Sequence, residues 1–363
     1  MSNNKKVNRR MGKRVKKRKL RRRVYFILIP LIVFLSALGF FVNLYLKAGS
    51  VISDSYEDDG RLKSDLREKE VDPKFDNVSI LIMGVDGGEK RGTEGIRTDT
   101  LMVATLNKDD KTVKLLSIPR DTKVYVPEVG YETKINHAHS LNNGGTRSTI
   151  DTVENLLDIP IDYWVKVNFD AFIEVVDAID GITVDVPYEF KEQDSYDRPN
   201  KIHLMPGLQE LDGEQALALA RTRKKDNDIE RGKRQQEIIK AIMKKSVSVK
   251  SIFKFDDIIE AVGSNMTTNM TFDEMKSFIS YGTSSNLNIE PLTLEGEDLW
   301  QSTPRRTYYW QLDDESLAET KHELQAHLEL NGSQLTQHRD NAEGNASDDD
   351  MDSTDLENAA DLH

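Results

Sequence analysis

The chain has 363 residues, 50 of them basic and 62 acidic, a net charge of −12 and no cysteine. Without thiols it makes no disulfide, no thiolate metal site and no cysteine nucleophile. The charge is unevenly placed: residues 1–23 carry thirteen Lys and Arg and no acid, which leaves −25 on residues 24–363, the wrong sign for a folded nucleic-acid binder.

Residues 24–46, VYFILIPLIVFLSALGFFVNLYL, are 23 residues without a charge. At about 1.5 Å per residue they reach roughly 35 Å, enough to cross a hydrocarbon core as one transmembrane helix. The basic head before them belongs on the cytoplasmic side and touches anionic lipid, so the rest of the chain is expected outside the cell. A cleaved signal peptide is the rival, but its apolar region would span only about 7–15 residues. Residues 47–75 are polar and charged and read as an extracellular stalk, with the ordered domain starting at residue 76.

From there strands and helices alternate. NVSILIMGV (77–85) reads as a buried strand; TLMVATLN (100–107) and TVKLLSI (112–118) are two more, joined by a hairpin-type turn at 108–111. TIDTVENLLDI (149–159) has helical spacing, DYWVKVN (162–168) alternates as a strand, and FDAFIEVVDAIDGI (169–182) reads as a helix stopped at Gly181. ITVDVP is a strand closed by Pro187, and the polar residues 188–203 read as a loop. DGEQALALARTR (212–223) is a helix behind an acidic cap, and residues 229–248 form a long amphipathic one. IFKFDDIIEAV (252–262) and FDEMKSFISY (272–281) are short helices. This order predicts an α/β fold, an α/β/α sandwich around a central mixed β-sheet. The tail, residues 326–363 and most acidic past 341, is too poor in apolar groups to pack.

Two groups of residues carry chemistry. Asp86 follows a strand's C-terminal end, where open α/β sheets place ligands, and Asp99 precedes the next strand. Two carboxylates there suit Mg²⁺ shared with a phosphate, although on the acids alone a turn cap and a solvated loop acid explain them better. The basic group is Arg120 in SIPRDT, Arg221 and Arg223 in ALARTRKKDND, and Arg231 with Gln235 one turn apart in ERGKRQQ. Several guanidinium forks converging is what a pyrophosphate needs; surface ion pairs are the plain alternative for each. Asp226 or Asp228 is a candidate general base or, equally, a helix cap, and His137 is a third candidate. No Walker loop, dinucleotide fingerprint, serine-nucleophile motif or zinc spacing is present.

Taken in order, ILIMGVD (80–86), RTDTLMV (97–103), SIPRDT (117–122), KINHAHSLNNGG (134–145), LDGEQALALARTR (211–223) and DIERGKRQQ (228–236) resemble the LytR-CpsA-Psr family of bacterial cell-envelope proteins. The resemblance covers residues 76–325. It implies a phosphotransferase in the cell membrane of a Gram-positive bacterium. That enzyme moves an anionic glycopolymer, such as wall teichoic acid or capsule, from an undecaprenyl-pyrophosphate carrier to a peptidoglycan hydroxyl. By the same resemblance Asp86 and Asp99 hold Mg²⁺, and Arg97, Arg120, Arg221, Arg223, Arg231 and Gln235 grip the pyrophosphate. Asp228 acts as base, with Arg120 and Arg231 also catalytic. The lipid needs an apolar groove, for which Phe169, Phe172, Ile173 and Val176, or Ile238, Ile239 and Ile242, are candidates. A non-catalytic polyprenyl-phosphate binder and a transcriptional attenuator are the alternatives.

Overall fold

The structure is a computed structural model that describes residues 55–86, 97–246, 265–282, 287–302 and 306–330. The expected transmembrane helix at 24–46, the helix expected at 252–262 and the tail from 331 lie outside the described residues. Among the described residues no helix is long and apolar enough to cross a membrane.

The central sheet starts with three antiparallel strands, β1 (Val78–Val85), β2 (Thr98–Asn107) and β3 (Thr112–Ser117). A hairpin, β4 (Lys123–Val126) and β5 (Tyr131–Lys134), leads to α1 (Gly145–Leu157). Then β6 (Tyr163–Val167) joins β1 in parallel. Helix α2 (Phe169–Ala178) is followed by β7 (Ile182–Val186), the short strands β8 (Phe190–Glu192) and β9 (Ile202–Leu204), and β10 (Gly207–Leu211), which pairs with β7. The loop expected at 188–203 is therefore partly a hairpin. Its apolar residues Phe190 and Leu204 are buried, and two such residues in a polar stretch are too few to reveal a period.

Helices α3 (Gly213–Arg221) and α4 (Asp228–Ser246) follow. Then β11 (Met266–Thr268) pairs with β6, and α5 (Phe272–Gly282) leads to β12 (Asn288–Thr293), which joins β3 in parallel. The chain closes with an antiparallel hairpin of β13 (Gly296–Gln301) and β14 (Thr307–Leu312) and helix α6 (Asp314–His327). The sheet order is β11-β6-β1-β2-β3-β12, with both parallel and antiparallel neighbours.

Strand alternation builds the layers. Leu81, Met83, Leu101, Val103 and Leu116 face one way, onto Ile150, Val153 and Leu157 of α1 and Leu324 of α6. Val78, Met102, Ala104, Val113 and Leu115 face the other, onto Ile239 and Met243 of α4 and Met275 and Phe278 of α5. A sheet between two helical layers is the expected sandwich. Gln236 of α4 ties the layers together, its side-chain amide donating to the carbonyls of Leu115 and Leu292 at 2.8 and 2.7 Å. Gly232 lets this helix approach, since a Cβ there would stand 2.8 Å from the Ser117 hydroxyl.

Both expected domain borders move outward. Residues 55–75 are part of the folded body: Ser55, Ser64 and Leu66 are buried, and Tyr56 bridges to Thr268. Two basic charges that read as a stalk are held in ion pairs, Arg67 with Asp162 at 2.6 Å and Arg61 with Asp59 and Glu154. At the other end His327 and Leu328 are buried, so the packed chain passes residue 325 and reaches at least into 326–330.

Candidate active site

A cavity of about 280 Å³ opens where β1 ends and β2 begins. Its polar lining includes Asp86, Asp99, Arg221, Arg223, Arg231 and Gln235; its apolar lining includes Ile82, Met102, Phe169, Phe172, Ile238 and Ile239. Acids and arginines far apart in sequence therefore share one space with an apolar wall.

Local geometry explains each placement. Gly84 pairs with Thr100 and Val85 with Thr98, so Asp99 is an extra residue at a bulge, a device that re-aims a side chain. A Cβ on Gly84 would stand 2.9 Å from the Thr100 Cβ, which keeps that position glycine. After β3 the chain turns tightly, with Thr122 donating to the Pro119 carbonyl through both its amide and its hydroxyl. The turn presents Arg120, which donates to Asp99 at 2.6 Å. Burial opposes the charge on Arg120, but Asp99, Asp121 and Asp228 outweigh it and hold the guanidinium more firmly protonated.

Helix α3 starts from a capping box on Asp212 and Gln215 and ends at Arg221. Thr222 leaves the helix in an extended conformation, so Arg221 and Arg223 line the same cavity although two residues apart. Arg221 stacks on the Phe169 ring at 4.5 Å, and Gln235 donates to the Ala220 carbonyl at 3.1 Å.

Arg231 stands one turn into α4, buried, with Nη2 at 2.7 Å from Asp228 Oδ1 and 3.3 Å from the Asp99 carbonyl. The contact with Asp228 is an ion pair whose N–H is out of alignment, so Arg231 Nε and Asp228 Oδ1 make no hydrogen bond to described residues. Burial pushes the Arg231 pKa down to about 10. Asp228 offsets part of this, and Arg223 and Arg120 add to it. Arg223 Nε lies 3.8 Å from the same Asp228 oxygen. Three arginines thus share two carboxylates, an arrangement short of negative charge.

The structure separates the candidate bases. Asn227 caps α4, its side-chain oxygen accepting from the Glu230 amide at 3.0 Å, so the cap role open to both aspartates is filled by their neighbour. Asp226 is bound by the buried Arg234 and by the Tyr188 hydroxyl at 3.0 Å; Arg234 also donates to the carbonyls of Thr222 and Leu219. That clamp makes Asp226 a structural residue. His137 contacts the Thr133 hydroxyl at 2.8 Å and does not line the cavity. Burial, then Arg97 and Lys134, lower its pKa. Arg97 itself is exposed ahead of β2 and outside the lining set. Asp228 alone of the three sits among the cavity's arginines.

Of the candidate groove residues, Phe169, Phe172, Ile238 and Ile239 line the cavity. Val176 is core, with Ile242 packed against the same cluster, and Ile173 abuts Gly213. Residues that sequence reasoning passed over are Asn227, Arg234 and the aromatic strand β14.

Among the described residues no group of three or more His, Cys, Asp or Glu is placed to hold a metal. Asp86 and Asp99 offer two hard oxygen donors at one cavity, which fits Mg²⁺ only if phosphate oxygens or water complete its shell.

The LytR_cpsA_psr family model matches residues 42–326. The polyisoprenyl-teichoic acid–peptidoglycan teichoic acid transferase TagT of Bacillus subtilis is 38% identical over 325 residues, covering 88% of this chain and 98% of TagT. A solved structure of TagT bound to LIIa-WTA is 38% identical, with a TM-score of 0.63 over 73% of this chain and 96% of that one. Another, of TagT with bound octaprenyl pyrophosphate lipid, is 35% identical, with a TM-score of 0.59 over 74% and 98%.

Proposed function

The chain belongs to the LytR_cpsA_psr family, and we propose that it is a transferase that moves an anionic glycopolymer from a polyprenyl-pyrophosphate carrier to a peptidoglycan hydroxyl. One observation carries the reading: a cavity with an apolar wall and a polar side where arginines outnumber carboxylates, suited to a lipid pyrophosphate. TagT, so similar over nearly its whole length, is named for that transfer and has been solved with the lipid and with LIIa-WTA.

In this reading the guanidinium forks of Arg120, Arg221, Arg223 and Arg231 hold the pyrophosphate oxygens, with Gln235 beside them and Arg97 at the margin. Asp228 takes the proton of the acceptor hydroxyl. That oxygen bonds to the sugar-side phosphorus, the bond from this phosphorus to the bridging oxygen breaks, and polyprenyl phosphate leaves with the bridging oxygen. The charge that gathers on the leaving phosphate is met by arginines already in place, and little reorganisation is needed. No ATP is required, because the pyrophosphate bond supplies the driving force. Phe169, Phe172, Ile238 and Ile239 accept the lipid beside the stacked Arg221.

Mg²⁺ is part of the proposal. Asp86 and Asp99 are the residues that would hold it, and bound there it would neutralise charge on the phosphoryl oxygens. So is the topology: a cytoplasmic basic head at 1–23, one span at 24–46 and the folded part outside.

The test is transfer of labelled polymer from a polyprenyl-pyrophosphate donor to peptidoglycan fragments, with the full chain in detergent. Polymer linked to glycan and released polyprenyl phosphate are expected. Excess chelator should abolish transfer and weaken donor binding; undiminished transfer with chelator removes the metal from the proposal. Donor binding without transfer to any acceptor leaves a lipid-binding protein.

A further inference from the structure

Asp228 stands between two clefts of opposite character. On one side are the arginines of the large cavity. On the other is a small cleft lined by Asp121, Asn227, Asp228, Asp298, Tyr308 and Trp310, together with Pro119 and Ile229. Among the described residues no arginine or lysine lines it, although Lys134 Nζ stands 5.8 Å over the Tyr308 ring. The aromatic strand β14 and its partner β13 form its outer wall. The backbone amide of Trp310 donates to the Asp121 carbonyl at 2.9 Å, and Thr122 bridges to Trp310, so the wall is fastened to the turn that presents Arg120.

The wall carries a platform. Trp300 is half exposed and packs 5.2 Å from Tyr308, tilted by 58°. Arg306 stacks on Trp300 at 4.4 Å, which fixes the indole. The Tyr308 hydroxyl donates to Asp298 at 3.0 Å. Burial first, then Asp298, Asp121 and Asp228, keep that phenol protonated. The indole N–H of Trp310 is buried and has no hydrogen-bond partner among the described residues. Asp121 is neutralised by Lys134 at 2.7 Å.

We propose that this hairpin is the acceptor subsite, a binding surface for a neutral glycan strand whose sugar rings lie on Trp300 and Tyr308 and whose hydroxyls meet Asp298 and Asn227. The inference rests on the transferase reading and deepens it. A pyranose has an apolar C–H face and a rim of hydroxyls, which match an aromatic surface edged with carboxylates and an amide. Arg306 on Trp300 and Lys134 over Tyr308 bring two cations to the platform, but the cleft beside it carries Asp228 and Asp298, and a polyanionic chain is drawn more strongly to the arginines next door. The two substrates are thereby sorted by charge to opposite sides of the one residue placed to move the proton.

The experiment compares wild type, Trp300→Ala and Asp298→Asn, as full chains in detergent. It measures donor affinity with a fluorescent polyprenyl pyrophosphate, acceptor KM and kcat with uncharged glycan oligosaccharides, and direct glycan binding by Trp fluorescence or saturation-transfer NMR. Both variants should raise acceptor KM about tenfold, the worth of one lost stacking or hydrogen-bonding contact, with donor affinity unchanged and kcat at saturating acceptor nearly so. Wild-type KM in both variants, with transfer intact, overturns the subsite and leaves the transferase standing. Glycan binding that is lost in the variants, in a protein that never transfers, keeps the subsite and removes the transferase. Neither binding nor transfer by the wild type removes both.

Discussion

Two sets of arginines differ in how many carboxylates they meet. In the seam formed by residues 55–75, Arg67 donates to both oxygens of Asp162 at 2.8 and 2.6 Å and to the Asn77 carbonyl, while Asp162 also accepts from Ser79. Arg61 is likewise shared between Asp59 and Glu154. Each of these two arginines has at least one carboxylate to itself. At the cleft, Arg120, Arg223 and Arg231 divide Asp99 and Asp228 among themselves, with Asp121 shared between Arg120 and Lys134, and Arg221 has an aromatic ring for a partner. The same residue type closes a structure when the charges balance and prepares an anion site when they do not. The cleft's imbalance costs stability, and a bound phosphate would restore it.

The largest expected effect that tests this contrast is at Asp228. Asp228→Asn removes the proposed base and one carboxylate at little change of shape. Transfer should fall by about 10²–10⁴-fold while donor affinity stays equal or rises slightly, because a repelling charge has gone. A variant that transfers at the wild-type rate shows that Asp228 is no base.

The next pair of variants sets seam against cleft directly. Arg67→Met leaves Asp162 buried without its counter-ion and should cost about 3–5 kcal/mol in urea unfolding. Arg223→Met should leave the unfolding midpoint unchanged or raise it, since it relieves repulsion with Arg231, while donor binding weakens. Equal stability losses at the two sites would erase the distinction.

The smallest effect is one of pH, and it belongs to the sealed part alone. His327 bridges the hydroxyls of Thr105 and Thr112 at 2.8 and 2.7 Å, and burial, then Lys114, holds its pKa below the ordinary histidine value. The unfolded chain then takes up a proton first as pH falls below about 6.5, so this stability is complete above that pH and is lost as pH falls toward the folded value. Between pH 7.5 and 5.5 the unfolding midpoint of wild type should drop more than that of His327→Gln. Parallel profiles would show that His327 is not the group that titrates.

The three-layer sheet was legible because β1, β2 and β3 are long apolar runs bounded by turns, and α3 and α4 carry plain amphipathic spacing. The β8–β9 and β13–β14 hairpins were not, because short exposed strands owe their form to neighbours rather than to their own period. Residues 55–75 misled for a related reason: charge looks solvated in sequence and is buried only when a partner far along the chain, here Asp162 or Glu154, closes on it. Among the site residues, each arginine alone was as good a surface ion pair as a ligand.

The sequence by itself determined the basic head, the uncharged run at 24–46, the strand–helix order and the family, since these depend on local composition and on the order of motifs. Only the tertiary structure decided which acid was available. Asp226 and Asp228 are two residues apart and chemically identical. Arg234 and Tyr188 reach Asp226 from two other elements, Asn227 takes the cap, and Asp228 is left facing the arginines, because partner choice depends on distances in space that residue spacing does not encode.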